Sequence, residues 1–215
     1  MSNTQYSLTA SATAKLLVWV CRLVTGIRAR WLAPLPQNQA RIYYANHSSH
    51  LDGLVIWASL PEALRVTVHP VAAADYWQKG RIRNYLAKSV FKAVLVSRQA
   101  AGDRSRNNAL QLMTEPLEQG HSLILFPEGT RGAGERVSDF KSGIWHLARK
   151  CPQAELVPVY LENLNRVLPK GSCLVVPILC SAIVGEPVAG PQQGETKTDF
   201  LIRLKGALEA LANDR

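Results

Sequence analysis

The chain has 215 residues, enough for one globular domain with a single sizeable core and short for two. Hydrophobic residues make up 47% and charged residues 19%, which excludes a disordered or fibrous chain. A formal charge of +9 and a pI near 9.7 point to an anionic partner: nucleic acid, anionic lipid headgroups or phosphorylated small molecules.

The four cysteines, Cys21, Cys151, Cys173 and Cys180, have no metal-ligand spacing and form no dense framework, so a reduced environment is expected. No membrane span is expected, because the best apolar run, Leu16 to Cys21, is cut by Arg22 well short of the ~18 to 20 residues required. Nothing basic precedes Lys15 and no clean small-residue cleavage site follows, which argues against a signal peptide.

From Met1 to Leu51 there is no acidic residue. Leu16, Trp19, Val20, Leu23, Val24, Ile27 and Trp31 recur at i, i+3, i+4, i+7, i+8, i+11 and i+15. At ~100° per residue they share one arc, with Lys15, Arg22 and Arg28 on its flanks and Arg30 intruding near its end. The spacing predicts a basic amphipathic helix, ended by Ala33 to Pro36, that lies in a membrane interface or packs on the domain's own core. Residues 1–33 are therefore expected to be an interfacial attachment and 34–215 the main domain.

Strand and helix signals then alternate. ARIYYAN reads as a strand, Ser49 to Leu60 as a helix and VTVHPVAAA as a strand. GRIRNYLAKSVFKA has a helical face, AVLVSR is strand-like, and Asp103 to Gln119 is a helix stopped by Gly120. HSLILFPEG is a buried strand running into a loop, and FKSGIWHLARK is a helix. ELVPVYLENL is a strand, and LVVPILCSAIVGEPV holds one or two more. Asp199 to Leu211 is a helix with Phe200, Leu204, Leu208 and Leu211 inward. This order predicts an α/β fold: a single domain with a central, largely parallel or mixed sheet flanked by helices, plus the N-terminal helix.

Two stretches carry polar residues suited to chemistry. In NHSSHLD, His47 and Asp52 would lie some 140° apart on an ideal helix, so they meet only if His47 sits in the preceding loop and Asp52 in the first turn. Ser48 and Ser49 are candidate N-caps for that arrangement. An aspartate on one imidazole nitrogen fixes the tautomer and leaves the other nitrogen as a base. Rival uses are a zinc site from His47, His50 and Asp52, for which no further cluster completes the shell, and a serine nucleophile, for which no G-x-S-x-G elbow exists. In FPEGTR, an apolar strand delivers Glu128, Gly129 and Arg131 to its carboxyl end, where open α/β sheets bind ligands. Gly129 permits a close backbone approach, and Arg131 offers a planar fork for phosphate or carboxylate. The bland alternative is a surface turn with a solvated ion pair.

Together, NHSSHLD and FPEGTR resemble the motifs of the glycerophospholipid acyltransferase family, which includes the lysophosphatidic acid acyltransferases. His47 and Asp52 match its first motif, and AVLVSR with Arg98 its second. FPEGTR matches the third at all six positions, with FKSG (Phe140 to Gly143) following, and LVPVY resembles the fourth. GEP at Gly185 to Pro187 is also typical, and the motifs run in order from about Ala40 to Val188.

The resemblance implies acyl transfer from acyl-CoA or acyl carrier protein to lysophosphatidic acid, giving phosphatidic acid without an acyl-enzyme. It gives His47 the role of general base and Asp52 that of orienting it. Arg98 and Arg131 would hold the acceptor phosphate and Glu128 its glycerol part, with Ser49, Gly129 and Thr130 completing the substrate site. No metal or other cofactor is expected. The expected location is peripheral, on the cytoplasmic face of the inner membrane, against anionic lipid.

Two departures stand out. Where many members carry an Ala-Lys-x-x-Leu lysine, this chain has AAADYW with Asp75 near that place, and Ser97 and Ala93 replace a common Asp and Gly. They leave open a different lysolipid, lipid alcohol or amine as acceptor, and a non-catalytic lipid-binding protein is the rival of another class. From Tyr76 to Gly102 six cations (Lys79, Arg81, Arg83, Lys88, Lys92, Arg98) occur without an acid. They form a solvated face or a contact for anionic lipid, CoA or an acidic carrier. Nucleic acid is not expected, because aromatic interleaving is thin and no binding motif is present.

Overall fold

The computed structural model describes residues 7–36, 39–97, 103–132, 134, 136–164 and 180–213. Its centre is a seven-stranded sheet in the order β1-β7-β6-β2-β5-β3-β4. The strands are β1 (Arg28–Trp31), β2 (Arg41–Ala45), β3 (Val68–Ala73), β4 (Val94–Val96), β5 (Ser122–Leu125), β6 (Glu155–Glu162) and β7 (Ser181–Val184). Every neighbouring pair is parallel except β6 and β7. The expected α/β architecture, largely parallel and mixed, is the one observed.

Strand β2 shows why the centre is continuous apolar sequence. All five of its residues are buried, and alternate side chains enter opposite layers. Ile42 and Tyr44 join Leu123, Leu156 and Phe200, while Tyr43 and Ala45 join Trp57, Ile124 and Val157. The first layer is covered by α6 (Asp103–Glu118), α7 (Gly143–Lys150) and α8 (Lys197–Ala210). The tail helix buries Phe200, Leu204 and Leu208, and Leu211 follows just past its end, all four inward as their spacing predicts. The second layer is covered by α1 (Leu8–Thr25) and α2 (Asp52–Ser59).

The N-terminal segment differs from expectation. Helix α1 starts at an Ser7 cap and stops at Thr25, where Gly26 turns left-handed (φ 53°) and its N–H closes on the Arg22 carbonyl. Ile27 and Trp31 therefore lie outside the helix, and Arg28–Trp31 is an edge strand paired with β7. Residues on both sides of position 33 thus share one sheet. Helix α1 packs through small residues, with Ala10, Ala14, Val18 and Cys21 buried. Its large apolar residues face outward, with Leu16 60%, Trp19 62% and Leu23 66% exposed. At 18 residues it is also long and apolar enough to cross a bilayer by length and composition, which the cut at Arg22 did not predict.

The stretch expected as one helix from Gly80 breaks into α5 (Arg81–Tyr85) and a wider π turn at Leu86–Val90. Short helices α3 (Glu62–Arg65) and α4 (Ala74–Trp77) bracket β3. Arg98, Cys173 and the LVVPIL half of the late apolar run lie outside the described residues. Cys21, Cys151 and Cys180 are buried.

Candidate active site

The site forms beyond the carboxyl ends of β2 and β5, which are neighbours in the sheet. Asn46 ends β2 by letting its side chain replace a peptide group. Its amide donates to the Leu161 carbonyl at 2.9 Å and accepts the Leu161 N–H at 2.8 Å. The backbone is thereby free to turn away from the sheet at His47.

His47 and Asp52 meet as the loop-then-first-turn arrangement requires. The imidazole Nδ1 lies 2.8 Å from Asp52 Oδ2, and Asp52 is the first residue of α2. The same oxygen accepts the Ser48 N–H at 2.6 Å and the Ser49 N–H at 2.9 Å. Asp52 is 0% exposed, and a carboxylate so buried is tolerable because charge-assisted donors converge on it. An ionised carboxylate only accepts, so Nδ1 carries the proton and Nε2 is left as the acceptor.

The expected serine caps are corrected by this geometry. Neither Ser48 nor Ser49 caps α2 with its hydroxyl; their peptide groups serve Asp52 instead. Ser49 is 2% exposed and its Oγ accepts the Leu51 N–H, so it supports the carboxylate loop.

Glu128 is likewise drawn inward. It is 3% exposed, with Oε1 accepting the His47 N–H at 2.7 Å and Oε2 the Ser138 N–H at 2.8 Å. In place of a solvated ion pair, it straps two loops to the base while lining the cleft beside it. The His47 carbonyl accepts the Gly132 N–H at 2.8 Å, and the Phe126 ring stacks on the imidazole at 4.3 Å and 21°. Both peptide groups and the ring of His47 are therefore fixed by FPEGTR and the glycine after it.

Gly129 takes φ +74° in the turn, its N–H closing on the Phe126 carbonyl, and an added Cβ would crowd Lys141 Cγ at 3.3 Å. Thr130 and Arg131 are exposed at its rim. A small cleft is lined by Asn46, His47, Ser48, Glu128, Gly134, Arg136, Val137 and Tyr160. Arg136 was not singled out in the sequence, since it sits in no matched motif, and Tyr160 entered only as the last residue of LVPVY. Another hollow, under α1 between Ala14, Trp57 and Arg65, is remote from these groups.

His50 does not join His47 and Asp52 as a ligand set; its ring stacks on Tyr76 at 5.8 Å and 26°. Among the described residues no group of three His, Cys, Asp or Glu side chains could hold a metal ion. Partial burial lowers the His50 imidazole below its ordinary range, helped by the positive charges of Arg131, His47 and Arg83 and opposed by Asp52.

Comparison with known proteins gives a consistent result. A family model described as Acyltransferase matches residues 26–162. The chloroplastic 1-acyl-sn-glycerol-3-phosphate acyltransferase of Arabidopsis thaliana is 29% identical over 153 residues, 68% of this chain and 38% of that protein. Human 1-acyl-sn-glycerol-3-phosphate acyltransferase alpha is 27% identical over 191 residues, 86% of this chain and 62% of that protein. The chain thus spans less than two thirds of the length of these relatives. The crystal structure of the 1-acyl-sn-glycerophosphate acyltransferase of Thermotoga maritima superposes with a TM-score of 0.73 at 19% identity, covering 95% of this chain and 78% of that one.

Proposed function

Because the chain belongs to the acyltransferase family, we propose that it transfers a fatty acyl group from an acyl thioester to the hydroxyl of lysophosphatidic acid, giving phosphatidic acid. One observation carries this reading: a histidine paired at 2.8 Å with a buried aspartate, its backbone held from both sides at the end of a parallel sheet. The His47 Nε2 takes the acceptor's hydroxyl proton as the oxygen attacks the thioester carbonyl carbon. Asp52 holds the Nδ1–H and stabilises the imidazolium. The tetrahedral intermediate collapses with cleavage of the C–S bond, and the thiolate leaves with the proton from His47. The chain's own groups and the two substrates balance every bond and proton, with no acyl-enzyme.

Arg131 binds the acceptor phosphate, and Arg98 joins it as the family resemblance implies. Glu128 acts through His47, as a positioning residue. The donor is acyl-CoA or acyl carrier protein. The outward Leu16, Trp19 and Leu23, beside Lys15 and Arg22, suit an anionic membrane surface and support a peripheral location, on the cytoplasmic face of the inner membrane in this reading. A second acceptor class, a lysolipid or lipid alcohol without a free phosphate, is favoured by one observation: Ala72 to Trp77 carries an acid and no cation.

The test is acyl transfer from labelled acyl-CoA and acyl carrier protein to lysophosphatidic acid, glycerol 3-phosphate and neutral lysolipids. Product from lysophosphatidic acid supports the proposal. Product from a neutral acceptor alone transfers it to the second class, and transfer to none overturns it.

A further inference from the structure

We propose that Arg83, held over the ring of Tyr76, which also stacks on His50, is a specificity-determining residue that binds the phosphate of the acceptor together with Arg131. The inference rests on the acyl-transfer reading above and names a binding residue outside the matched motifs.

The Arg83 guanidinium carbon lies 4.5 Å from the Tyr76 ring centroid, and the same ring stacks on His50 at 5.8 Å and 26°. His50 follows the base, His47, by three residues in the chain. Tyr76 is itself anchored. It meets Trp77 edge-on at 5.8 Å, Trp77 meets Phe91 at 5.9 Å, and Phe91 meets the fully buried Trp57 at 5.1 Å. An exposed arginine ordinarily loses side-chain entropy on binding an anion; a stacked one has already lost much of it.

Arg131 directly precedes Gly132, whose N–H is bonded to the His47 carbonyl. Both arginines are exposed, and among the described residues neither has an acidic partner. Asp75, one residue before Tyr76, makes no ion pair with either. The lowered proton affinity of His50, to which Arg131, His47 and Arg83 all contribute, is what overlapping positive fields at one place produce. A phosphate bound there by both arginines would meet two planar guanidinium forks. Since Ala72 to Trp77 carries no cation, the charge on this wall comes from α5, seven residues beyond Tyr76.

The experiment measures steady-state kinetics of Arg83→Ala and Arg83→Lys in micelles of a neutral detergent, with lysophosphatidic acid as acceptor and monoacylglycerol and glycerol 3-phosphate as competitors. In Arg83→Ala the acceptor KM rises about tenfold, as loss of a charge-assisted hydrogen bond predicts, while kcat stays within about twofold. Competition by glycerol 3-phosphate weakens in step, and competition by monoacylglycerol, which lacks the phosphate, does not change. Arg83→Lys falls between, because it keeps the charge and loses the fork. An unchanged acceptor KM overturns the assignment, as does a parallel shift for monoacylglycerol. Loss of anionic-vesicle binding with unchanged micellar kinetics also overturns it, by giving Arg83 to the membrane headgroups. If wild-type protein transfers nothing to lysophosphatidic acid, the activity reading fails separately. Calorimetric titration of glycerol 3-phosphate against glycerol, into wild type and Arg83→Ala, then decides: phosphate-dependent binding lost in the variant supports the site, and equal heats overturn it.

Discussion

Two histidine pairs sit at opposite ends of this sheet and have opposite fates. Beyond the carboxyl end of β2, His47 Nδ1 is 2.8 Å from a buried carboxylate and its ring borders a cleft. At the amino end of β5, His69 Nε2 is 2.9 Å from His121 Nδ1, and His69 is 6% exposed. The second pair has no carboxylate to stabilise a proton. Burial, with the charges of His121 and Lys92 beside it, lowers the His69 imidazole to about 4. A partner that only accepts, plus access to solvent, makes a base. A like-charged partner plus burial makes a neutral structural group.

The sharpest way to break this comparison is to remove each partner in turn. His47→Ala should lower kcat by ~10² to 10⁴-fold in the acyl-transfer assay, the usual contribution of a general base, with the circular dichroism spectrum intact. Asp52→Asn should cost about 10²-fold, because the amide no longer enforces the tautomer. Glu128→Ala leaves the part-buried His47 and Ser138 N–H groups without their acceptor; a stability loss of about 1 to 2 kcal/mol is expected by denaturant titration. Activity of that variant should fall less than in His47→Ala.

At the other pair the prediction concerns pH. His69 titrates near 6.5 unfolded and about 4 folded, so its contribution is fully present above pH 6.5 and is lost as the pH falls toward 4. The loss amounts to about 3 kcal/mol, and His69→Leu should flatten the melting-temperature profile over that window without changing kcat at pH 7.5. The smallest effect is expected on the outer surface: Trp19→Glu with Leu23→Glu should reduce co-sedimentation with anionic vesicles while leaving micellar activity unchanged. Deleting α1 would be a poorer test, because Ala14, Val18 and Cys21 belong to the core.

The sheet was legible wherever a strand is buried on both faces or a helix has a steady apolar stripe, as in Ile42 to Ala45 and Phe200 to Leu211. It was not legible at Arg28–Trp31, where helical spacing continues through Gly26 and only the left-handed turn reveals the stop. The meeting of His47 and Asp52 could be anticipated, since it needed only a loop and a first turn. The inward task of Glu128 could not, because it depends on where Ser138 returns to the site, ten residues later. Nor could the His50–Tyr76–Arg83 ladder, whose members come from three separate elements.

The central claim is that His47, oriented by Asp52, takes the acceptor's proton. It is tested most directly by the rate of labelled acyl transfer to lysophosphatidic acid in wild type and His47→Ala at equal, saturating substrate. A fall of at least ~10²-fold in a correctly folded variant is the predicted result. Transfer at the wild-type rate without the imidazole would contradict the account.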